Sequence, residues 1–314
     1  MWTEWVGRDL GRYHIEELIG QGAMGVVFRA RDPELDRTVA IKVLYPHLSA
    51  DAELVDRFRL EARTAANLHQ QNVVAIHDVG YAEDLYYLVM EYLEGKPLSR
   101  IITEQGPLPV EKVLDVAGQV GSALDYIHRR KLVHRDVKSS NIIIEPDGRA
   151  VLTDFGLVMT SKGSSLTAEG KILGTPQYLA PEQIAGGEIS GWTDLYALGV
   201  VVFEMLTGQS PFEADAPAIL LFQVLWQAPP AASNLRTDLP KAVDEVIGKV
   251  LSKESGERYS SGAAFAAALE QALAGRVERP AEVAAPKPRK PGIFAAVRAL
   301  RSWAVLAGTG AALL

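Results

Sequence analysis

The run His134-Arg135-Asp136-Val137-Lys138-Ser139-Ser140-Asn141 is followed by Ile142-Ile143-Ile144, then Pro146-Asp147-Gly148, then Ala150-Val151-Leu152-Thr153, and ends on Asp154-Phe155-Gly156. Two β-branched, apolar stretches separated by a Pro-Asp-Gly turn predict a short hairpin. Antiparallel pairing brings the residue before the first strand close to the residue after the second. Asn141 and Asp154 therefore converge although they are distant in sequence, and each offers oxygen. Oxygen ligands of this kind suit Mg²⁺, which binds through a carboxylate together with phosphate oxygens. Asp136, on the same loop, is placed to accept a proton from a hydroxyl that reaches the site. Taken one at a time, each of these Asp and Asn residues is also an ordinary loop former.

Working outward, the loop is preceded by a helix. Apolar residues recur at helical spacing through Val110, Val113, Leu114, Ala117, Ala123, Leu124 and Ile127, predicting a helix over 110–130. Beyond Thr193 most of the chain also has helical periodicity. From Tyr13 to Tyr92 the pattern is instead strand-like, with β-branched and aromatic runs at Val26 to Phe28, Thr38 to Val43 and Tyr86 to Met90, interrupted by one helix. The expected architecture is α+β and bilobal: a small β-rich lobe with one main helix, then a larger α-rich lobe.

Within the first lobe, Gly20-Gln21-Gly22-Ala23-Met24-Gly25 spaces glycines so that backbone N–H groups can approach phosphate oxygens. A dinucleotide-binding reading requires a helix after the glycines, yet Val26-Val27-Phe28 reads as a second strand. The glycines thus sit at a hairpin tip, where an ordinary glycine-rich turn is the bland alternative. Val39-Ala40-Ile41-Lys42 puts an ammonium inside an apolar strand, where it needs an anionic partner or a route to water. On the next helix Leu54, Phe58, Ala65 and Leu68 form an apolar stripe interrupted by Glu61. A Lys42–Glu61 ion pair would satisfy both residues and aim the ammonium at a phosphate chain.

Composition narrows the field. The 314 residues are 48% hydrophobic and 23% charged, enough for two packed lobes, and the net charge of −7 argues against a surface that holds nucleic acid through its phosphates. With no cysteine, disulfides, thiolate metal sites and cysteine nucleophiles are excluded. The start, Met1-Trp2-Thr3-Glu4-Trp5, lacks the basic-then-apolar character of a secretory signal.

Taken in order, the glycine loop, Val39-Ala40-Ile41-Lys42, His134 to Asn141, Asp154-Phe155-Gly156 and Ala180-Pro181-Glu182 resemble the signature set of the protein-kinase family, specifically the eukaryotic-type Ser/Thr kinases of bacteria. The resemblance covers residues 11–273, divided into an N-lobe at 11–92 and a C-lobe at 93–273. It implies transfer of the γ-phosphoryl group of ATP, with Mg²⁺, to Ser or Thr hydroxyls of protein substrates. It further implies Asp136 as catalytic base, Lys138 neutralising charge on the γ-phosphate, Lys42 and Glu61 as the phosphate-directing pair, and Thr175 packed where the substrate hydroxyl enters. Asn141 and Asp154 would hold the metal. Nucleotide contacts are implied for Ile19, Gly20, Gln21, Gly22, Ala23, Met24, Gly25, Val26 and Val27, for Ala40 and Ile143 against the adenine, for the backbone of Glu91 and Leu93, and for Met90 at the rear. Glu182 is expected to pair with Arg258 for structure, and Asp194 to steady the catalytic loop.

Two departures stand out: Ser139 replaces a usual proline, which is expected to loosen the loop, and Glu169 replaces a frequent threonine. Arg135 implies regulation by a phosphate on the activation loop, with Thr167 favoured over Ser161, Ser164 and Ser165, and autophosphorylation in trans would call for a dimer. After 273, residues 274–291 read as a Pro/Ala/basic linker containing Lys287-Pro288-Arg289-Lys290, and 292–314 as an apolar segment. That segment reads as a single-pass or truncated anchor holding a cytoplasmic kinase at the inner face of the membrane, or as a helix that docks on a partner. A kinase-like scaffold without chemistry and a small-molecule kinase are the rival functions. The first lacks support, since Lys42, Glu61, Asp136, Asn141 and Asp154 are all present.

Overall fold

The strand-forming runs of the first lobe pair into one six-stranded antiparallel sheet in a computed structural model that describes residues 2–22, 24–49, 51–154 and 176–275, apart from the side chains of Glu53, Arg57 and Glu61. Its strands are β1 (Asp9–Leu10), β2 (Tyr13–Gln21), β3 (Gly25–Asp32), β4 (Arg37–Leu44), β5 (Ile76–Ala82) and β6 (Leu85–Glu91), in the order β1-β2-β3-β4-β6-β5. Between β4 and β5 come the short α1 (Pro46–Ser49) and the longer α2 (Ala52–Ala65).

Period-two alternation decides which face meets the core. On β3, Val26, Phe28 and Ala30 are buried with Val39, Ile41 and Val43 of β4, while Val27, Ala40 and Lys42 fall on the opposite face. Helix α2 is shorter than its apolar stripe. It ends at Ala65, and Leu68, in the turn that follows, is buried in the core of the second lobe.

The second lobe begins with β7 (Lys96–Pro97), which pairs with a hairpin of β8 (Ile142–Ile144) and β9 (Ala150–Leu152) in the order β7-β8-β9. Its helices are α3 (Leu98–Gln105), α4 (Val110–Arg129), α5 (Pro181–Ala185), α6 (Gly191–Thr207), α7 (Pro217–Trp226), α8 (Ala232–Leu235), α9 (Ala242–Val250) and α10 (Gly262–Ala274). Helix α4 buries Val110, Val113, Ala117, Leu124 and Ile127, and its last turn carries His128 and Arg129, favourable against the helix dipole. Helix α6 is apolar on nearly every side and is accordingly buried on nearly every side. Helices α4 and α10 touch backbone to backbone: a Cβ on Gly262 would lie 2.4 Å from the Gly121 carbonyl oxygen, so only glycine permits this approach.

The lobes are tied together behind the site. Leu152 N–H donates to Asn72 O (2.9 Å) and Val74 N–H donates to Leu152 O (3.0 Å). The Asn72 amide donates to Ala150 O (2.8 Å) and to Gln119 Oε1 on α4 (2.7 Å). These bonds fix β9, and with it Asp154, against the first lobe. Among the described residues no helix is long and apolar enough to cross a membrane. The linker and the 292–314 segment lie outside the described residues.

Candidate active site

The glycine run is a hairpin tip and not a helix start: Gln21 pairs with Val26, and Gly22 N–H donates to Gly25 O (2.9 Å). Gly25 is obligatory, because a Cβ there would lie 1.9 Å from Val43 O on the neighbouring strand. Gly20, Gln21, Gly22 and Met24 line the tip, whereas Ala23 lies outside the described residues. The Gln21 amide donates to Tyr45 Oη (3.0 Å), and Trp2 packs on Tyr45 with ring centroids 5.8 Å apart. Ile19, near the end of β2, is exposed at 43%. The Val26 side chain is fully buried in the first lobe's core, so alternation assigns the apolar contact to Val27 and leaves Val26 only its backbone at the tip.

Val27, Ala40, Met90 and Leu93 gather in a single apolar cluster with Val74, Ile76, Tyr92 and Val151, between the sheet and the β8–β9 hairpin. Ile143, half-buried in the middle of β8, pairs with Pro97 and with Val151, a member of this cluster. Glu91 N–H is taken by Ala75 O (2.9 Å), so the N–H is not the group of Glu91 that could meet a ligand edge. The Glu91 side chain pairs with Arg149 at 2.6 Å, and Arg149 also binds Glu145 at 2.5 Å, so the linker between lobes is clamped to the hairpin.

Lys42, paired in register with Val27 and Leu88, reaches across the lobes to Asp154, Nζ to Oδ1 2.5 Å. The expected Lys42–Glu61 pair rests on a side chain outside the described residues. Burial pushes the Asp154 carboxyl upward, but the charge and hydrogen bond of Lys42, helped by Lys138, hold it below its ordinary value. Asp154 is therefore ionised at neutral pH. Its backbone is left-handed (φ 54°), as is that of Arg135 (φ 69°), a conformation costly for non-glycine residues.

The β8–β9 hairpin makes the convergence expected from the sequence. Thr153 N–H donates to Asn141 O (2.8 Å), which closes the hairpin just before Asp154. The Asn141 amide nitrogen donates to both Asp136 Oδ2 (2.8 Å) and Asp136 O (2.9 Å), and Lys138 Nζ donates to the same Oδ2 (2.7 Å). One carboxylate oxygen of Asp136 is thus held from two sides, leaving Oδ1 for an incoming hydroxyl. The donor set fits Mg²⁺: the Asn141 amide oxygen and an ionised Asp154 carboxylate are hard oxygen ligands, and the Asn141 nitrogen is already spent on Asp136.

Asp194, on the buried helix α6, holds this loop from below. Its carboxylate accepts the N–H groups of His134 and Arg135, both at 2.8 Å, and contacts His128 Nε2 at 2.7 Å. His134 is fully buried, and desolvation keeps its imidazole below the ordinary value and therefore neutral. Glu182 and Arg258 make the expected ion pair through two parallel contacts of 2.7 and 2.8 Å.

Sequence reasoning missed Tyr178 and Glu204. Tyr178 Oη donates to the Glu204 carboxylate (2.8 and 2.9 Å) and lies 2.8 Å from Ser139 Oγ. Burial pushes the Glu204 carboxyl up to about 7. The signal was available, since Glu204 stands in the apolar run Val200-Val201-Val202-Phe203-Glu204-Met205-Leu206, the same anomaly that marked Lys42 and Glu61. Ser139 does not leave the loop loose: it is 3% exposed and bonded. Thr175, Thr167 and the other activation-loop candidates lie outside the described residues.

Residues 13–272 match the family model described as "Protein kinase domain". Serine/threonine-protein kinase PknA of Mycobacterium tuberculosis (strain ATCC 25177 / H37Ra) is 39% identical over 308 residues, which cover 96% of this chain and 71% of PknA. Serine/threonine-protein kinase PrkC of Bacillus subtilis (strain 168) is 38% identical over 266 residues, covering 85% of this chain but only 41% of PrkC. A crystal structure of the M. tuberculosis PknI kinase domain superposes with a TM-score of 0.70 at 30% identity, covering 85% of this chain and 98% of that domain. With the bilobal fold, the interlobe lysine and the loop around Asp136 in place, these likenesses establish that the chain belongs to the protein kinase family, among the eukaryotic-type Ser/Thr protein kinases of bacteria.

Proposed function

We propose that the chain transfers the γ-phosphoryl group of Mg-ATP to Ser and Thr hydroxyls of proteins, with Asp136 as base. The observation that carries this reading is the Asp136 carboxylate held at one oxygen by Lys138 and Asn141 while Lys42 holds Asp154. Bound there, Mg-ATP supplies the phosphoryl group and a metal that neutralises charge developing on it. Asp136 orients the acceptor hydroxyl and takes its proton. Lys138 stabilises negative charge on the transferred group, and Lys42 orients the phosphates from the opposite lobe. Asn141 and Asp154 would hold the metal, and the cluster around Ala40 and Met90 would take the adenine. Val27, Ile143 and the Glu91–Leu93 backbone belong to the same proposed pocket, with Thr175 at the hydroxyl's entry and Glu61 as a partner of Lys42.

Mass spectrometry of the chain after incubation with Mg-ATP tests this reading. Phosphate is expected on Ser or Thr, Thr167 foremost, and Lys42→Met should lower the labelling rate roughly a hundredfold or more. Wild-type protein that binds ATP yet labels neither itself nor a generic Ser/Thr substrate would favour a scaffold role. In the same reading, a phosphate on Thr167 pairs with Arg135, and the reaction runs in trans between two copies.

The kinase domain (11–273) is further proposed to be cytoplasmic, with the 274–291 linker leading to a 292–314 anchor at the inner membrane face. Lys287, Arg289, Lys290, Arg298 and Arg301 form the basic flank that supports this. Without detergent, the full chain is expected in the membrane fraction and a chain ending at 275 in the supernatant. Folded full-length chain in the supernatant would rule the anchor out.

A further inference from the structure

Proline at position 139 would restrain the catalytic loop covalently; the serine found there leaves that restraint to be supplied by something else. The backbone has kept the conformation proline favours, since Lys138 is extended (φ −160°, ψ 160°), as residues preceding proline are. What replaces the ring is a hydrogen bond. Ser139 Oγ lies 2.8 Å from Tyr178 Oη, and Tyr178 Oη contacts both oxygens of Glu204. A phenol has one proton to donate, and when Glu204 is ionised that proton is directed at it, making the Ser139 hydroxyl the donor to Tyr178. The chain of donation runs Ser139 to Tyr178 to Glu204.

Its two ends are mechanically different. Glu204 belongs to the buried helix α6, whereas Tyr178 closes the Pro176–Tyr178 turn where the chain returns from the activation loop. Ser139 lies between Lys138 and Asn141, the two residues that hold Asp136 Oδ2. A shift at Ser139 therefore displaces both donors of the base together.

We propose that Ser139 is a positioning residue for phosphoryl transfer, its hydroxyl locking the Asp136–Asn141 loop through Tyr178 to Glu204 and so registering the base against the segment that receives the protein substrate. The inference rests on the kinase reading of the site. It assigns Ser139 no contact with substrate or nucleotide, and the groups of the first lobe that meet ATP do not depend on it.

Single-turnover autophosphorylation of the full chain, with nucleotide affinity measured separately by calorimetry, tests this. Ser139→Ala is expected to slow phosphoryl transfer roughly three- to tenfold, the range of one net hydrogen bond, with affinity for ATP unchanged. Tyr178→Phe, which removes the shared hydroxyl, should slow it at least as much. The double variant should be no slower than Tyr178→Phe alone, because both changes break one chain. Matching thermal melts for the three variants exclude loss of folding as the cause. Full-rate transfer by Ser139→Ala, losses that multiply in the double variant, or ATP affinity falling in step with rate would each overturn the proposal. A wild-type chain that labels nothing overturns the kinase reading instead, so the two failures are distinct.

Discussion

Asp136→Asn is expected to slow phosphoryl transfer by roughly 10²–10⁴-fold, the span that a positioned general base contributes, while nucleotide binding and fold persist. The substitution conserves shape. The carboxylate oxygen held by Lys138 and Asn141 can be replaced by the amide oxygen, so both donors keep a partner. What is lost is the proton acceptor at Oδ1, the oxygen that the kinase reading assigns to the substrate hydroxyl. The loop itself is fixed by its backbone bonds to Asp194, which the change does not touch. Single-turnover transfer at saturating ATP, beside a nucleotide titration, separates the two properties. Transfer within about tenfold of wild type would remove Asp136 from the role of base.

The second large effect is on stability. Arg258→Met should destabilise the kinase domain by about 3–5 kcal/mol, because it strands a mostly buried carboxylate. The Arg258 side chain is 0% exposed and Glu182 12% exposed. Arg258 also donates to Ser252 O and Trp192 O, both at 2.9 Å, and joins the start of α6 to the loop before α10. Without it, Glu182 retains the Thr193 hydroxyl at 2.8 Å but no cation. Removing both charges, as in Glu182→Leu with Arg258→Met, is expected to restore much of the loss, since a buried pair repays little more than its own desolvation. Urea unfolding of the single and double variants measures this. A single-variant loss under about 1 kcal/mol would place the pair among weak surface contacts.

The sequence carried the bilobal layout and the active-site loop because those features are written locally. The Pro146-Asp147-Gly148 turn fixes the β8–β9 register, and that register alone brings Asn141 near Asp154. The strand after Gly25 is equally local, and it settled hairpin against helix. Pairings between remote elements were less legible. Lys42 signalled its need for an acid, for which the sequence offered Glu61, and only lobe packing brings Asp154 within 2.5 Å. The Val26 and Val27 side chains diverge because strand alternation sends them to opposite faces, a distinction invisible when both are read as members of one motif. Ile143 was assigned by motif position, and the structure puts it at the centre of β8, in register with Val151 of the apolar cluster around Ala40. Ser139 looked like a lost restraint because its compensating partner, Tyr178, lies 39 residues away.

Asp194 has a consequence for how the molecule comes apart. Its carboxylate binds the backbone of the catalytic loop from within α6, a helix whose residues are almost all inaccessible to water. Local opening events release segments that have few buried contacts, and α6 has the opposite character. The left-handed turn at Arg135, strained in isolation, is therefore tied to the helix whose amide hydrogens are expected to exchange last. The backbone leading into Asp136 is thus anchored to the core of the second lobe, and opening of the glycine hairpin above it leaves that anchor in place.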